Sequence, residues 1–155
     1  MIRITRETDY ALLILAHLHR RGTGGVHSAR DVSSWAGVSL PMASKILKAL
    51  ARSGLLISNR GAKGGYGLAR DLDGISVADV VRAIEGPIAL VECVGNPGQC
   101  DQEATCLTSQ NWKRINDAVE GALQGVAVSE LVAASAPEPA LLNLGGDSPA
   151  EPTTP

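Results

Sequence analysis

The chain has 155 residues, and its 14 Lys plus Arg against 16 Asp plus Glu give a formal net charge of −2, a total that predicts little affinity for any polyanion. Divided at Arg70 the charge separates: residues 1–70 hold 11 basic and 3 acidic side chains (+8), residues 71–155 hold 3 and 13 (−10). That asymmetry points to nucleic-acid contact by the basic half, while 45% hydrophobic residues without a long apolar run exclude a disordered chain and a membrane span.

The length suits one domain, or a small domain with an appendage. There is no Phe, so Leu, Ile, Val and Ala must fill the core. The opening MIRITRETDY carries acids where an export signal builds its apolar stretch, so a cytoplasmic chain with reduced thiols is expected.

From Thr8 to Arg21 apolar residues recur every third or fourth position (Tyr10, Leu13, Ile14, Leu18), with Ala11, Leu12 and Leu15 widening the stripe. A helix apolar over so much of its surface belongs between neighbours, and Gly22 stops it. Ser28-Ala29-Arg30-Asp31 reads as a capping box opening a short helix through Trp35 and Ala36, broken at Gly37. Ser39 is a good N-cap for the next helix, which tolerates Pro41 in its first turn and runs to about Arg52. Ala43, Ile46, Leu47 and Leu50 make one of its faces; Pro41, Ser44, Lys45, Lys48 and Arg52 make the other. Leu55–Arg60 and Tyr66–Ala69 read as strands joined by a glycine-rich turn. Helix, short turn, helix and a basic hairpin is the order of a winged helix-turn-helix.

Ser76–Asp79 forms a second capping box, and its helix carries Val80, Val81 and Ile84 before Gly86-Pro87 stops it. Residues 88–106 read as irregular. From about Thr108 a longer helix places Trp112, Ile115, Val119, Ala122 and Val126 on one stripe. No later element covers it, so pairing with a second copy is expected. Ser129–Ala133 add a final turn, and the proline-rich tail reads as disordered. The expected fold is mainly α: a winged helix-turn-helix DNA-binding domain (1–86), a cysteine cluster-binding loop (87–107), a C-terminal dimerisation helix (108–134) and the tail (135–155).

Lys45, Lys48 and Arg52 are spaced to share one helix face that can lie in a major groove. Ser39, Pro41, Met42 and Ser44 near its N-terminus are placed for base edges or phosphate. Arg60 and Lys63 ride on the hairpin turn, where glycines let backbone approach a phosphate ridge or minor groove; Arg30 is a further candidate for a backbone contact. Any single charged side chain here is most simply a solvated one, and it is the ordered set that carries the reading. The glycine turn lacks the Gly-Lys-Ser/Thr ending of a phosphate-binding loop. His17, His19 and His27 crowd the N-terminus with no acid or nucleophile grouped beside them. His17, on an apolar face, reads as a core residue. No enzyme and no small-molecule substrate are expected.

Cys93, Cys100 and Cys106 have six and five residues between them. A CxxC pair is absent, so zinc is a weak match. Three soft ligands on one loop are enough to hold an iron–sulfur cluster if a fourth comes from elsewhere. A metal-free thiol switch and a zinc brace remain the alternatives.

At this point the chain resembles the Rrf-type bacterial transcription regulators, which include iron–sulfur and nitric-oxide sensors, with the strongest resemblance to regulators of SUF iron–sulfur assembly. The resemblance rests on RITRETDYAL, SLPMASKILKALARSGLL, RGAKGGYGLAR, ISVADVVRAIEGPIALVEC and the cysteines followed by CLTSQNW, and covers about residues 1–132. It implies a homodimer on a palindromic operator in double-stranded DNA, probing iron, redox or nitric-oxide state through its cluster. IscR-like members carry His three residues after the last cysteine, where this chain has Ser109. NsrR-like members use an Asp in a Thr-Asp context, matched by Thr8-Asp9. The resemblance therefore makes Asp9, from the partner subunit, the first candidate for the fourth ligand, with Glu7 second. It leans toward [4Fe–4S] and leaves [2Fe–2S] open. Read without the resemblance, Asp9 is an acid favoured by the dipole of a helix's first turn.

Overall fold

The widest apolar stripe becomes the central helix. In the computed structural model, which describes residues 4–22, 24–102 and 104–134, α1 (Arg6–Arg20) buries Ala11, Ile14, Leu15 and Leu18. The tail expected to be disordered, 135–155, lies outside the described residues. In α2 (Ala29–Ala36) both halves of the capping box form: the Ser28 hydroxyl accepts from the Asp31 N–H at 3.2 Å, and the Asp31 carboxylate accepts from the Ser28 N–H at 3.3 Å. Gly37 closes α2 in the left-handed region, at φ +64°, and turns the chain into α3 (Leu40–Arg52).

The face expected to be apolar in α3, Ala43, Ile46, Leu47 and Leu50, is buried. It meets Ile14, Leu15 and Leu18 of α1 and Val32 of α2 in one continuous core. These side chains are close-packed, so cutting Ile14 or Leu47 back to Ala costs about 2–5 kcal/mol. The hairpin follows: β1 (Leu56–Asn59) runs antiparallel to β2 (Gly65–Leu68), with Leu56 opposite Leu68 and Ser58 opposite Tyr66. β1 is shorter than its sequence pattern, whereas β2 keeps four residues and lies one position earlier than expected. The Leu55 N–H is spent on Leu50 O at the end of α3, at 3.0 Å, so the Leu55–Ala69 pair keeps only the bond from the Ala69 N–H to Leu55 O, at 3.1 Å. A third strand adds one residue, His27, which exchanges two backbone hydrogen bonds with Tyr66 (2.9 and 2.8 Å).

After a 3-10 turn at Leu72–Gly74, α4 (Val77–Glu85) opens on its second capping box, Ser76 with Asp79. It packs against α1, α3 and α6. The stretch expected to be irregular contains one short helix, α5 (Glu92–Gly95), before α6 (Ser109–Gln124) and α7 (Val128–Ala134). The fold divides the expected 108–134 element. α6 stands on α4 and α5, whereas α7 returns to α1. The Val128 N–H reaches Ile75 O at 2.8 Å, the Val77 N–H reaches Val126 O at 2.9 Å, and Val128 is fully buried in the main core. No helix is long and apolar enough to cross a membrane among the described residues.

Candidate nucleic-acid interface and cysteine loop

The outward face of α3 is the one its sequence spacing selects. Pro41, Lys45, Lys48 and Arg52 are exposed, Ser44 is half-buried, and all five line one open cleft that α4 borders with Ala83 and Ile84. Ser39 N-caps α3 by its backbone, without a side-chain cap bond, so its hydroxyl is not consumed by the helix. Met42 is different: it is half-buried and packs against the core. Arg60 and Lys63 stand exposed at the wing turn, and Arg30 is exposed at the start of α2. The wing root is braced by contacts with no sequence signature. The Arg21 guanidinium lies 3.4 Å from the centre of the Trp35 ring, whose edge meets His27 at 5.0 Å.

One contact bears directly on the basic face. Lys45 Nζ is 2.6 Å from the Glu7 carboxylate, 38 residues earlier in the chain. Helical periodicity places both residues on their own elements but says nothing of this meeting. Nearby, the fully buried Thr8 hydroxyl donates to Glu85 at 2.6 Å, and the Thr5 N–H donates to the same oxygen at 2.9 Å. These two bonds, the Thr8 hydroxyl first, hold the Glu85 carboxyl below its ordinary range and pin the start of α1 to the end of α4.

With Thr8 turned inward, Asp9 faces out. It lines a groove of about 410 Å³ between α1 and α7, together with Leu13, His17, Arg20, Val128 and Leu131. His17 lines that groove half-buried and is not the buried core residue expected from its apolar face; burial first, then Arg20 and Arg21, hold its pKa below the usual histidine value.

The three cysteines are free and half-buried. Cys93 sits in α5, Cys100 in the irregular stretch after the turn that follows it, and Cys106 two residues before the N-cap of α6. The loop is anchored at its entry by Asn116 of α6, which is 3% exposed. Its amide donates to Ile88 O and accepts from the Leu90 N–H, each at 3.0 Å. At the loop's exit the Cys106 sulfur lies 3.4 Å from the Thr108 hydroxyl; that bond first, then backbone N–H groups of Thr108 and Ser109, lower the thiol pKa. A lowered pKa favours the thiolate, the form that binds soft metals. In donor chemistry the loop therefore fits an iron–sulfur cluster. Within the single chain, no three His, Cys, Asp or Glu side chains among the described residues converge on a metal-sized point. The groove holding Asp9 is lined by none of the cysteines.

α6 is locked to α4 by Arg82, whose guanidinium reaches Glu120, Asp79 (3.3 Å) and Gln124 (3.1 Å). Trp112 and Ile115 of α6 remain 39% and 47% exposed.

A winged helix-turn-helix with a basic outer helix face and an added cysteine-bearing arm is a narrow description, and a family profile meets it. The Rrf2 profile, "Iron-dependent Transcriptional regulator", matches residues 4–134. The chain belongs to the Rrf2 family. IscR of Escherichia coli, an HTH-type transcriptional regulator, is 30% identical over 131 residues, which span 84% of this chain and 80% of IscR. Among solved structures, CymR (YrzC), the global cysteine regulator of B. subtilis, superposes with a TM-score of 0.64 at 29% identity, covering 87% of this chain and 99% of CymR. The IscR of T. potens shares the fold, with a TM-score of 0.61 at 22% identity over 86% of this chain and 88% of its own. This Rrf2 chain is thus a transcriptional regulator of winged-helix type and not an enzyme.

Proposed function

We propose that the chain is a homodimeric repressor that binds a palindromic operator through α3 and the wing. Its affinity is set by an iron–sulfur cluster held by Cys93, Cys100, Cys106 and Asp9 of the partner subunit, and its targets are SUF assembly genes. Support for the DNA reading comes from one observation above all: Lys45, Lys48 and Arg52 stand exposed on a single face of α3, beside a wing carrying Arg60 and Lys63. The cluster reading is supported by three half-buried free thiols on one loop, one of them acidified. When bound, a cluster supplies a centre whose charge and ligation change with redox state or nitric oxide. The chain's part is to report the loop's state. Asn116 ties residues 88–90 to α6, and Arg82 ties α6 to α4 and so to α3.

A second reading, a metal-free thiol switch, is favoured by two facts. The thiols do not converge within one chain, and the Thr108 hydroxyl with neighbouring N–H groups lowers the Cys106 thiol pKa. Similarity to CymR, named a cysteine regulator, is compatible with it. Anaerobic purification from iron-replete cells, followed by an absorbance spectrum and iron, sulfide and zinc analysis, separates the readings. The expected result is a coloured protein containing iron and acid-labile sulfide, lost in Cys93→Ala and altered in Asp9→Ala. A colourless, iron-free protein would mean a thiol switch, or a zinc brace if zinc is found.

A further inference from the structure

Between the C-terminal half of α3 and the wing lies an open cleft of about 310 Å³, lined by Lys48, Ala51, Arg52, Ser58 and Tyr66. Two of its polar groups are cations one turn apart on α3. The other two are hydroxyls from the hairpin, and no charge pattern flags them. Alternation along β1 explains Ser58: Leu56 is buried in the core, Ile57 faces away at 48% exposure, and Ser58 returns to the core side beyond the core's edge. Ser58 and Tyr66 are directly paired in register, so both side chains share that face.

Tyr66 is also held in place before any ligand arrives. Its N–H and C=O are both bonded to His27, at 2.8 and 2.9 Å. Gly65 and Gly67 permit that approach. A Cβ on Gly65 would lie 2.3 Å from His27 O, and one on Gly67 2.6 Å from Gly25 O. The glycines flanking Tyr66 thus exist to let a third strand close on it, and the tyrosine ring packs against the core. No carboxylate lines the cleft.

We propose that this cleft is the seat of one DNA backbone phosphate in each half-site, with Tyr66 and Ser58 donating their hydroxyls to phosphate oxygens beside Lys48 and Arg52. The proposal rests on the DNA-binding reading and deepens it. Two cations and two O–H donors around a small opening match a tetrahedral anion, and hydroxyl-to-phosphate bonds are a common positioning contact in protein–DNA complexes. A strand bordering the groove that α3 enters must cross between α3 and the wing, which is where the cleft lies. A phosphate seat fixes register and carries no sequence information, and that property makes it testable.

The test uses the full chain and two duplexes of equal length, one of mixed sequence and one selected by the wild-type protein from a random pool. Tyr66→Phe keeps the ring and its packing, so the fold is preserved; Ser58→Ala is the second variant should it not be. Fluorescence anisotropy across a salt titration is expected to show Tyr66→Phe about tenfold weaker on both duplexes. Ser58→Ala should be about threefold weaker on both. The selected-to-mixed affinity ratio and the salt slope stay as in wild type, because a hydroxyl releases no counterion. Lys48→Ala instead lowers the slope by about 1 per bound subunit. Wild-type affinity in both hydroxyl variants, with Lys48→Ala still weakened, overturns the seat and leaves the DNA reading standing. A loss confined to the selected duplex also overturns it, since it identifies a base contact. If wild type binds neither duplex, the DNA reading itself fails.

Discussion

On the face proposed to read DNA, Lys45 is the more exposed member of an ion pair, and Glu7 already neutralises it. A phosphate arriving at Lys45 must displace a carboxylate, not merely water and a counterion. Glu7 thus opposes DNA at that position by the same Coulomb term that would favour it. With the Lys45 side chain 65% exposed the pair is worth no more than about 1 kcal/mol, which bounds the effect of removing it. Glu7→Gln is expected to tighten binding to any duplex two- to fivefold per bound subunit, about 0.4–1 kcal/mol, and to steepen the salt dependence by up to about one counterion per subunit. Anisotropy titrations at several salt concentrations check both numbers. Weaker binding in Glu7→Gln would show that the carboxylate orients Lys45 and does not mask it.

At the scale of elements, the structural question is what connects the cysteine loop to the rest. Asn116 is the side chain best placed to do so, since two hydrogen bonds from one buried amide fix the loop's entry at residues 88 and 90. Asn116→Ala leaves Ile88 O and the Leu90 N–H without that partner, a cost of about 2 kcal/mol. Amide exchange at Leu90 should accelerate roughly 30-fold while α1, α2 and α3 keep their protection. Equal acceleration throughout would mean that Asn116 supports the whole fold. The sequence concealed this residue for a physical reason. Asn in a helix is usually a solvated or mildly unfavourable choice, and a buried one is recognisable only once its partners, 26 and 28 residues away, are placed. What could be read was what depends on neighbours in the chain. Both capping boxes, the Gly37 stop and the two faces of α3 follow from spacing of three or four residues. The Lys45–Glu7 pair, the one-residue third strand at His27 and the return of α7 to α1 depend on tertiary closure, and no local pattern encodes them. The candidate site divides the same way: the basic face was legible, and the Ser58–Tyr66 hydroxyls beside it were not.

For the whole molecule, the charge division acquires a geometry. The described basic residues of the first 70 lie on the winged helix, whereas Asp79, Glu120 and Asp117 of the acidic part engage Arg82 and Lys113 and tie or cover the arm. Among the described residues that arm leaves Trp112 and Ile115 of α6 partly exposed. A two-fold dimer joining these faces would carry two reading helices and match a palindrome by symmetry. Ile115→Asp separates this from a merely exposed stripe. In an isolated chain a half-exposed position accepts Asp at little cost, so thermal unfolding should change little. In a dimer the same carboxylate would be buried without a partner, which association cannot tolerate. Sedimentation should therefore show a folded monomer in place of the dimer proposed for the wild type. Losing the second reading head removes the effective-concentration gain, so affinity for a palindromic site should fall by about 10²–10⁴, while affinity for an isolated half-site is unchanged. An Ile115→Asp protein that still sediments as a dimer would move the interface elsewhere, to the α1–α7 groove where Leu13 and Leu131 are likewise exposed.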